Sequence, residues 1–160
     1  MKKMIFIFMF FMFLFLLYVY VLQNYKIISR ELEISIPLWV KIDMKDTHGG
    51  FHNDGEAFAA ISLTKKQVTN ITESIQNNSH WRQCPMTPRL EYRITEGSDD
   101  FYMAIPKVQN GYWIFKDHHT LATNIYNELD LFTEKRYSYN FSVGILDLDT
   151  NILYYYRLDT

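Results

Sequence analysis

Two imidazoles and three carboxylates crowd one short segment of the chain. Asp46, His48, His52, Asp54 and Glu56 lie within Asp46-Thr47-His48-Gly49-Gly50-Phe51-His52-Asn53-Asp54-Gly55-Glu56. Imidazole and carboxylate ligate divalent cations and exchange protons near neutral pH. Together they would suit zinc or manganese better than calcium. His48 and His52 have the spacing of a helical zinc pair, but Gly49 and Gly50 disfavour a helix there and no Glu follows His48. A calcium loop with its glycine at Gly55 would start at Gly50 and need a carboxylate where Ile61 stands. Asp46-x-His48 matches the opening of the metallophosphoesterase pattern, yet the G-D and G-N-H blocks that should follow are missing. The plain alternative is a tight connection between two strands. Gly would supply the turn, and Asp and Asn would bond their own backbone.

A second cluster, Lys116-Asp117-His118-His119, follows an aromatic stretch. Adjacent residues of an extended strand point to opposite faces, so at most one of His118 and His119 faces a given site. If both clusters lie at the same edge of a sheet, His48, His52, Asp54 and His118 or His119 could converge. Signals for a nucleophile are missing. There is no G-x-S-x-G, and Cys84 precedes Pro85 without the flanks of a thiol protease, which reads as a buried or idle thiol. No glycine-rich phosphate loop occurs. Two readings follow. One is a binding or interaction module without chemistry, taking an envelope protein or a small ligand. The other is a metal-assisted, hydrolase-like activity with a divalent cation at the loop and Asp54 or Glu56 as base.

The elements that must position these residues begin beyond an unusual N-terminus. Met4 to Leu22 contains no charge, Gly, Pro or amide, and a helix of that length approaches the thickness of bilayer hydrocarbon, about 30 Å. This predicts a transmembrane signal-anchor over 1–25, with the remaining 26–160 forming one extracytoplasmic domain. A cleaved signal peptide would show a shorter core and small residues at its exit, and a buried helix would show a polar face. Lys2 and Lys3 precede the run, while Lys26 and Arg30 follow it. The leading pair places the N-terminus in the cytoplasm and the domain outside, as a single-pass cell-membrane protein tethered through that helix.

After a short polar stem, Leu32, Ile34, Ile36, Leu38, Val40, Ile42 and Met44 alternate with mostly polar residues. This predicts a strand, bent or at an edge because of Pro37. Ala57 to Leu63 reads as a second strand. Thr64 and Gln67 form a capping box, and Val68, Ile71 and Ile75 give one apolar stripe, predicting a helix over Lys65–Gln76. Leu90, Tyr92 and Ile94 suggest a third strand, Tyr112 to Phe115 a short aromatic one, and His119 to Phe132 a second helix. Phe141, Val143 and Ile145, then Ile152, Tyr154, Tyr156 and Leu158, form a hairpin about Asp149-Thr150-Asn151. The expected fold is α+β, mainly antiparallel sheet with one or two helices.

Composition sets the outer bounds. The 160 residues allow one ordinary domain, the formal net charge of −2 argues against nucleic acid as a partner, and one cysteine forms no internal disulfide. The segment Lys45 to Glu56, the stretch Gly111 to His119 and the terminal Asp147-Leu148-Asp149-Thr150-Asn151-Ile152-Leu153-Tyr154-Tyr155-Tyr156 together resemble a group of small bacterial exported or membrane-anchored proteins carrying a D-T-H-G-G-F-H-x-D-G-E segment. That resemblance spans roughly residues 31–160. It implies an exported location and the domain's extent, and it implies no activity.

Overall fold

The computed structural model describes residues 2–49, 54–95, 105–133 and 136–160. The chain divides into two compact units, Met1–Leu38 and Trp39–Thr160.

In the first unit one helix, α1, runs from Lys2 to Leu32. It does not stop at Leu22 in a polar stem. It continues through Gln23, Asn24, Lys26, Ser29, Arg30 and Glu31, and its last turns bury Tyr25, Ile28, Glu31 and Leu32. Its end is built by hydrogen bonds. Ile34 N–H donates to the Ser29 carbonyl at 3.1 Å, around Glu33 at φ 56°, and Ile36 N–H donates to Ser29 Oγ at 3.1 Å. Residues Ile5 to Leu16 expose their apolar side chains. Among the described residues no helix is long and apolar enough to cross a membrane. This corrects the expected transmembrane signal-anchor. The membrane partner and the single-pass placement, with its cytoplasmic N-terminus and outer domain, fall with it. The physical difference is that the apolar run is the first part of a longer helix whose second part is polar, charged and partly buried.

The second unit is built on a six-stranded antiparallel sheet. In chain order it contains β1 (Lys41–Asp46), β2 (Gly55–Ser62), α2 (Lys65–Gln76), β3 (Arg82–Gln83), α3 (Pro88–Thr95), β4 (Gly111–Asp117), a 3₁₀ helix (Glu128–Phe132), β5 (Asn140–Asp147) and β6 (Ile152–Asp159). The strand order is β1-β2-β6-β5-β4-β3. The α+β architecture and the antiparallel sheet are as the sequence led us to expect; the membrane helix is not.

Alternation along the strands makes two faces, and both are buried. One carries Phe58, Trp113, Phe115, Phe141, Val143, Ile145, Tyr154, Tyr156 and Leu158, which pack with Leu90 and Ile94 of α3 and with Leu131. The other carries Ala59, Ile61, Ile114, Leu146, Leu153 and Tyr155, none more than 1% exposed. α2 starts at the capping box: Thr64 Oγ1 accepts from Gln67 N–H, and Thr64 N–H donates to Gln67 Oε1 at 2.8 Å. Its stripe Val68, Ile71 and Ile75 is buried.

Three local expectations fail for identifiable reasons. The alternating run Leu32–Met44 is a strand only from Lys41. Before it, Leu32 ends α1, Ile34 and Ile36 are buried but belong to no strand, and Trp39 at φ 67° breaks the extended chain. Leu90, Tyr92 and Ile94 belong to a helix: Leu90 and Ile94 are buried one turn apart, while Tyr92 is 63% exposed. Residues 119–127 form turns instead of a helix. Asn124 Oδ1 accepts from Tyr126 N–H and Asn127 Oδ1 from Leu129 N–H, local bonds that compete with helix, and Leu121, Ile125 and Leu129 stay exposed.

Candidate functional site

β1 and β2 are joined by the loop that holds the first cluster. Asp46 pairs with Ala57 at the end of the ladder. One step further, Thr47 N–H donates to the Glu56 carbonyl at 2.8 Å, and Thr47 Oγ1 accepts from Glu56 N–H at 2.9 Å. These bonds bring the backbone of His48 against Gly55, where a Cβ would lie 2.6 Å from His48 Cα. Glycine is required there by the close approach.

His48 is then fixed by Asp46. Asp46 Oδ1 accepts from His48 N–H at 2.9 Å and lies 2.6 Å from His48 Nδ1. An ionised carboxylate only accepts, so Nδ1 carries the proton. The His48 side chain is 10% exposed, the Asp46 side chain 48%. The second ring nitrogen, Nε2, is buried and has no hydrogen-bond partner among the described residues. A buried polar atom left without any partner is destabilising by about 1–3 kcal/mol, so such an atom calls for an explanation.

Ladder register shows what else lies at this end of the sheet. Gly55 pairs with Asp159, and Asp159 with Asn140; Ala57 pairs with Arg157, Arg157 with Ser142, and Ser142 with Lys116. These residues share one face, the face opposite the large aromatic core. Beyond Lys116, His118 N–H donates to the Asn140 carbonyl at 2.7 Å, and His118 Nε2 lies 3.0 Å from Ser142 Oγ. Arg157 Nη2 donates to Asp159 Oδ2 at 3.4 Å. Two more buried atoms without partners sit here, Asn140 Oδ1 and Arg157 Nε. Asn140 and Arg157 thus share one face at this end of β5 and β6, and His48 lies on the loop whose backbone meets β2 at the same end.

The expected site residues are distributed unequally around this end. Asp46 and His48 form the pair described. His52 lies outside the described residues. Asp54 is exposed. Glu56 points to the opposite face, where it bonds the Tyr156 hydroxyl; burial above all, and then the Glu56 charge, push that phenol far above its ordinary range. Glu56 is therefore not beside His48. His118 belongs to the same end as His48, but β2, against which the His48 backbone is seated, and β4 stand three ladder spacings apart, about 14 Å. His119 caps a turn: its N–H donates to Asp117 Oδ1 at 2.9 Å, and its Nδ1 accepts from Leu121 N–H at 3.1 Å. Asp117 is sealed inside, fully buried and held by both Nη atoms of Arg136. Histidines on elements about 14 Å apart do not readily meet on one ion, whose ligands stand near 2 Å from it. Among the described residues no group of three or more His, Cys, Asp and Glu side chains is placed to hold a metal. The described donors therefore do not fit a resident divalent cation.

One further cleft, about 500 Å³, is lined by Ser79, His80, Arg82, Asn124, Tyr126 and Asn127. Its cation is already engaged: Arg82 Nη1 donates to the buried Glu128 carboxylate at 2.9 Å, Nη2 donates to the Tyr126 carbonyl at 2.9 Å, and the guanidinium lies over Trp113. None of the buried unpartnered atoms noted above lines it.

The sequence reading missed Asn140, Ser142, Arg157 and Asp159. A signal was present. Arg157 follows five aromatic and aliphatic residues of β6, and Asn140 and Ser142 are polar residues in a strand with both faces buried. No protein-family model, curated protein or solved structure matches the chain. The resemblance noted for Lys45–Glu56 therefore rests on its motif alone.

Proposed function

We propose that this chain is a non-enzymatic binding module whose ligand contacts the sheet end formed by the β1–β2 loop, β6 and β5. The observation that carries this reading is His48: nine-tenths buried, its Nδ1 held by Asp46, its Nε2 without a partner. A histidine kept for folding would satisfy both nitrogens. Here one nitrogen orients the ring and the other is kept without a partner among the described residues, a cost to stability that a role in binding would explain. The bases named for the hydrolase reading have no such support: Glu56 serves the opposite face, Asp54 is exposed, and the described donors do not assemble around a cation.

The test uses stability, so it needs no ligand. His48→Leu removes the buried unpartnered nitrogen and keeps the bulk of the ring, while Asp46 stays half-exposed to water. We expect thermal unfolding of the variant to show a change within about 1 kcal/mol, of either sign, as for residues retained for binding at the expense of stability. A loss of about 2 kcal/mol or more would make His48 a folding residue and end this reading.

A further inference from the structure

We infer that the cleft beside β3 binds a ligand carrying one carboxylate and a flat ring. The inference is independent of the His48 reading, since β1 and β3 are the two opposite edges of the sheet. The cleft has a volume of about 500 Å³, within the range of about 300–1,000 Å³ usual for small-molecule sites. Solvent reaches it: Ser79 and Asn124 are exposed, and the Arg82 side chain is 37% exposed. The side chains that line it are biased toward hydrogen-bond donors. Asn124 Oδ1 already accepts from Tyr126 N–H, and Asn127 Oδ1 from Leu129 N–H, which leaves the Nδ2 donors of both amides for a ligand. Arg82 uses one N–H on Glu128 and one on the Tyr126 carbonyl, and a guanidinium has others to offer. Those two bonds, and the Trp113 ring 3.8 Å away, hold the fork in place before any ligand arrives.

Donors of this kind select an acceptor. Among the described residues that line the cleft there is no Asp or Glu to repel an anion. The Glu128 carboxylate nearby is buried and bound to Arg82. A neutral carbonyl also accepts, but hydrogen bonds to an ionised group are about twice as strong as neutral ones. A phosphate ester carries most of a second negative charge at neutral pH, and no Lys or second Arg lines the cleft to meet it. A single carboxylate matches the set: its two oxygens accept from the guanidinium and from the Asn124 and Asn127 amides. The rest of the lining calls for the ring. His80 and Tyr126 stack with centroids 3.5 Å apart and planes 13° from parallel. The pair is a flat wall against which a further ring buries apolar area. A free aromatic acid and a peptide ending in an aromatic residue both carry this chemistry.

The experiment uses the full ¹⁵N-labelled chain and follows the side-chain signals of Arg82 Nε and of Asn124 and Asn127 Nδ2. Benzoate and N-acetyl-L-phenylalanine are titrated separately; acetate, benzamide and inorganic phosphate form the control arms at the same pH. We expect at least one of the two ring carboxylates to move these signals saturably, with every control at least fivefold weaker. A response to benzoate alone identifies a free acid and one to N-acetyl-L-phenylalanine alone a peptide C-terminus; either supports the inference. Asn124→Asp keeps an acceptor for Tyr126 N–H but replaces the donor by a negative charge, and should weaken the response at least fivefold with the backbone amide spectrum unchanged. Asn127→Asp repeats the test if the first variant alters that spectrum. Phosphate or benzamide as effective as the carboxylates would overturn the carboxylate assignment, and acetate as effective as benzoate would overturn the ring. No movement with any probe, or a response unaltered in the folded variant, would overturn the site, while the His48 reading stands or falls on its own stability test.

Discussion

At the scale of single residues, the molecule treats its polar side chains in two opposite ways. Asp117 and Arg136 are both buried and satisfy each other. His48, Asn140 and Arg157 are buried at one atom each and left unsatisfied there. The first arrangement is structural, because removing one partner strands a charge in a medium that solvates it badly. Arg136→Ala should cost about 3–5 kcal/mol in chemical denaturation. Asp117→Asn combined with Arg136→Met should cost less than the single Arg136 change, since no bare charge remains inside. A double variant as unstable as the single one would show that packing, not the charge pair, dominates there. None of this was legible in Asp117 itself, which the sequence offers as one more acid beside two histidines. Its partner is 19 positions away, and only the fold joins them.

At the scale of elements, the candidate site depends on one close approach. The β1–β2 hairpin is held by Thr47 and Glu56 and seats the His48 backbone on Gly55. A side chain at position 55 would meet backbone, which cannot swing aside. Gly55→Ala should therefore destabilise by about 1–3 kcal/mol and shift the His48 imidazole resonances, while α2 and the β5–β6 hairpin keep their amide spectrum. A variant with unchanged stability and unchanged His48 signals would mean the loop is not seated as described. The elements with strong local signals were readable in advance. The capping box placed α2 residue for residue, and Asp149-Thr150-Asn151 marked the turn between β5 and β6, where Asp147 accepts from Asp149 and Thr150 N–H and Asn151 takes φ 57°. The elements that misled carry mixed signals. Leu90 and Ile94 fit a period of two as well as one helical turn, and burial against the aromatic face selects the helix.

At the scale of the whole molecule, a sheet buried on both faces makes its tyrosines part of the core. Burial first raises Tyr154 and Tyr156, with Asp147 adding to the shift at Tyr154 and Glu56 at Tyr156. A group whose folded pKa is raised lends stability below its unfolded value and loses it as the pH climbs through the folded one. The fold should therefore keep full stability up to about pH 10, and weaken above it as unfolding releases phenols that ionise freely. Stability measured from pH 8 to 12 should fall less steeply in Tyr156→Phe than in the parent; equal slopes would assign the alkaline loss elsewhere. By itself the sequence determined what local chemistry can specify: the capped helix, the turn-linked hairpin, the alternating aromatic strands and the crowded Asp46–Glu56 segment. Capping, turn formation and side-chain period act within a few residues, so they can be read without the fold. Only the tertiary structure decided that the apolar N-terminal run continues into a longer, partly buried helix. It also turned Glu56 toward Tyr156 on the aromatic face and set Asn140 and Arg157 on the opposite face, at the end of the sheet where His48 lies. Those outcomes depend on strand order and register, which pair residues as far apart as Gly55 and Asp159 through contacts that no short stretch of sequence contains.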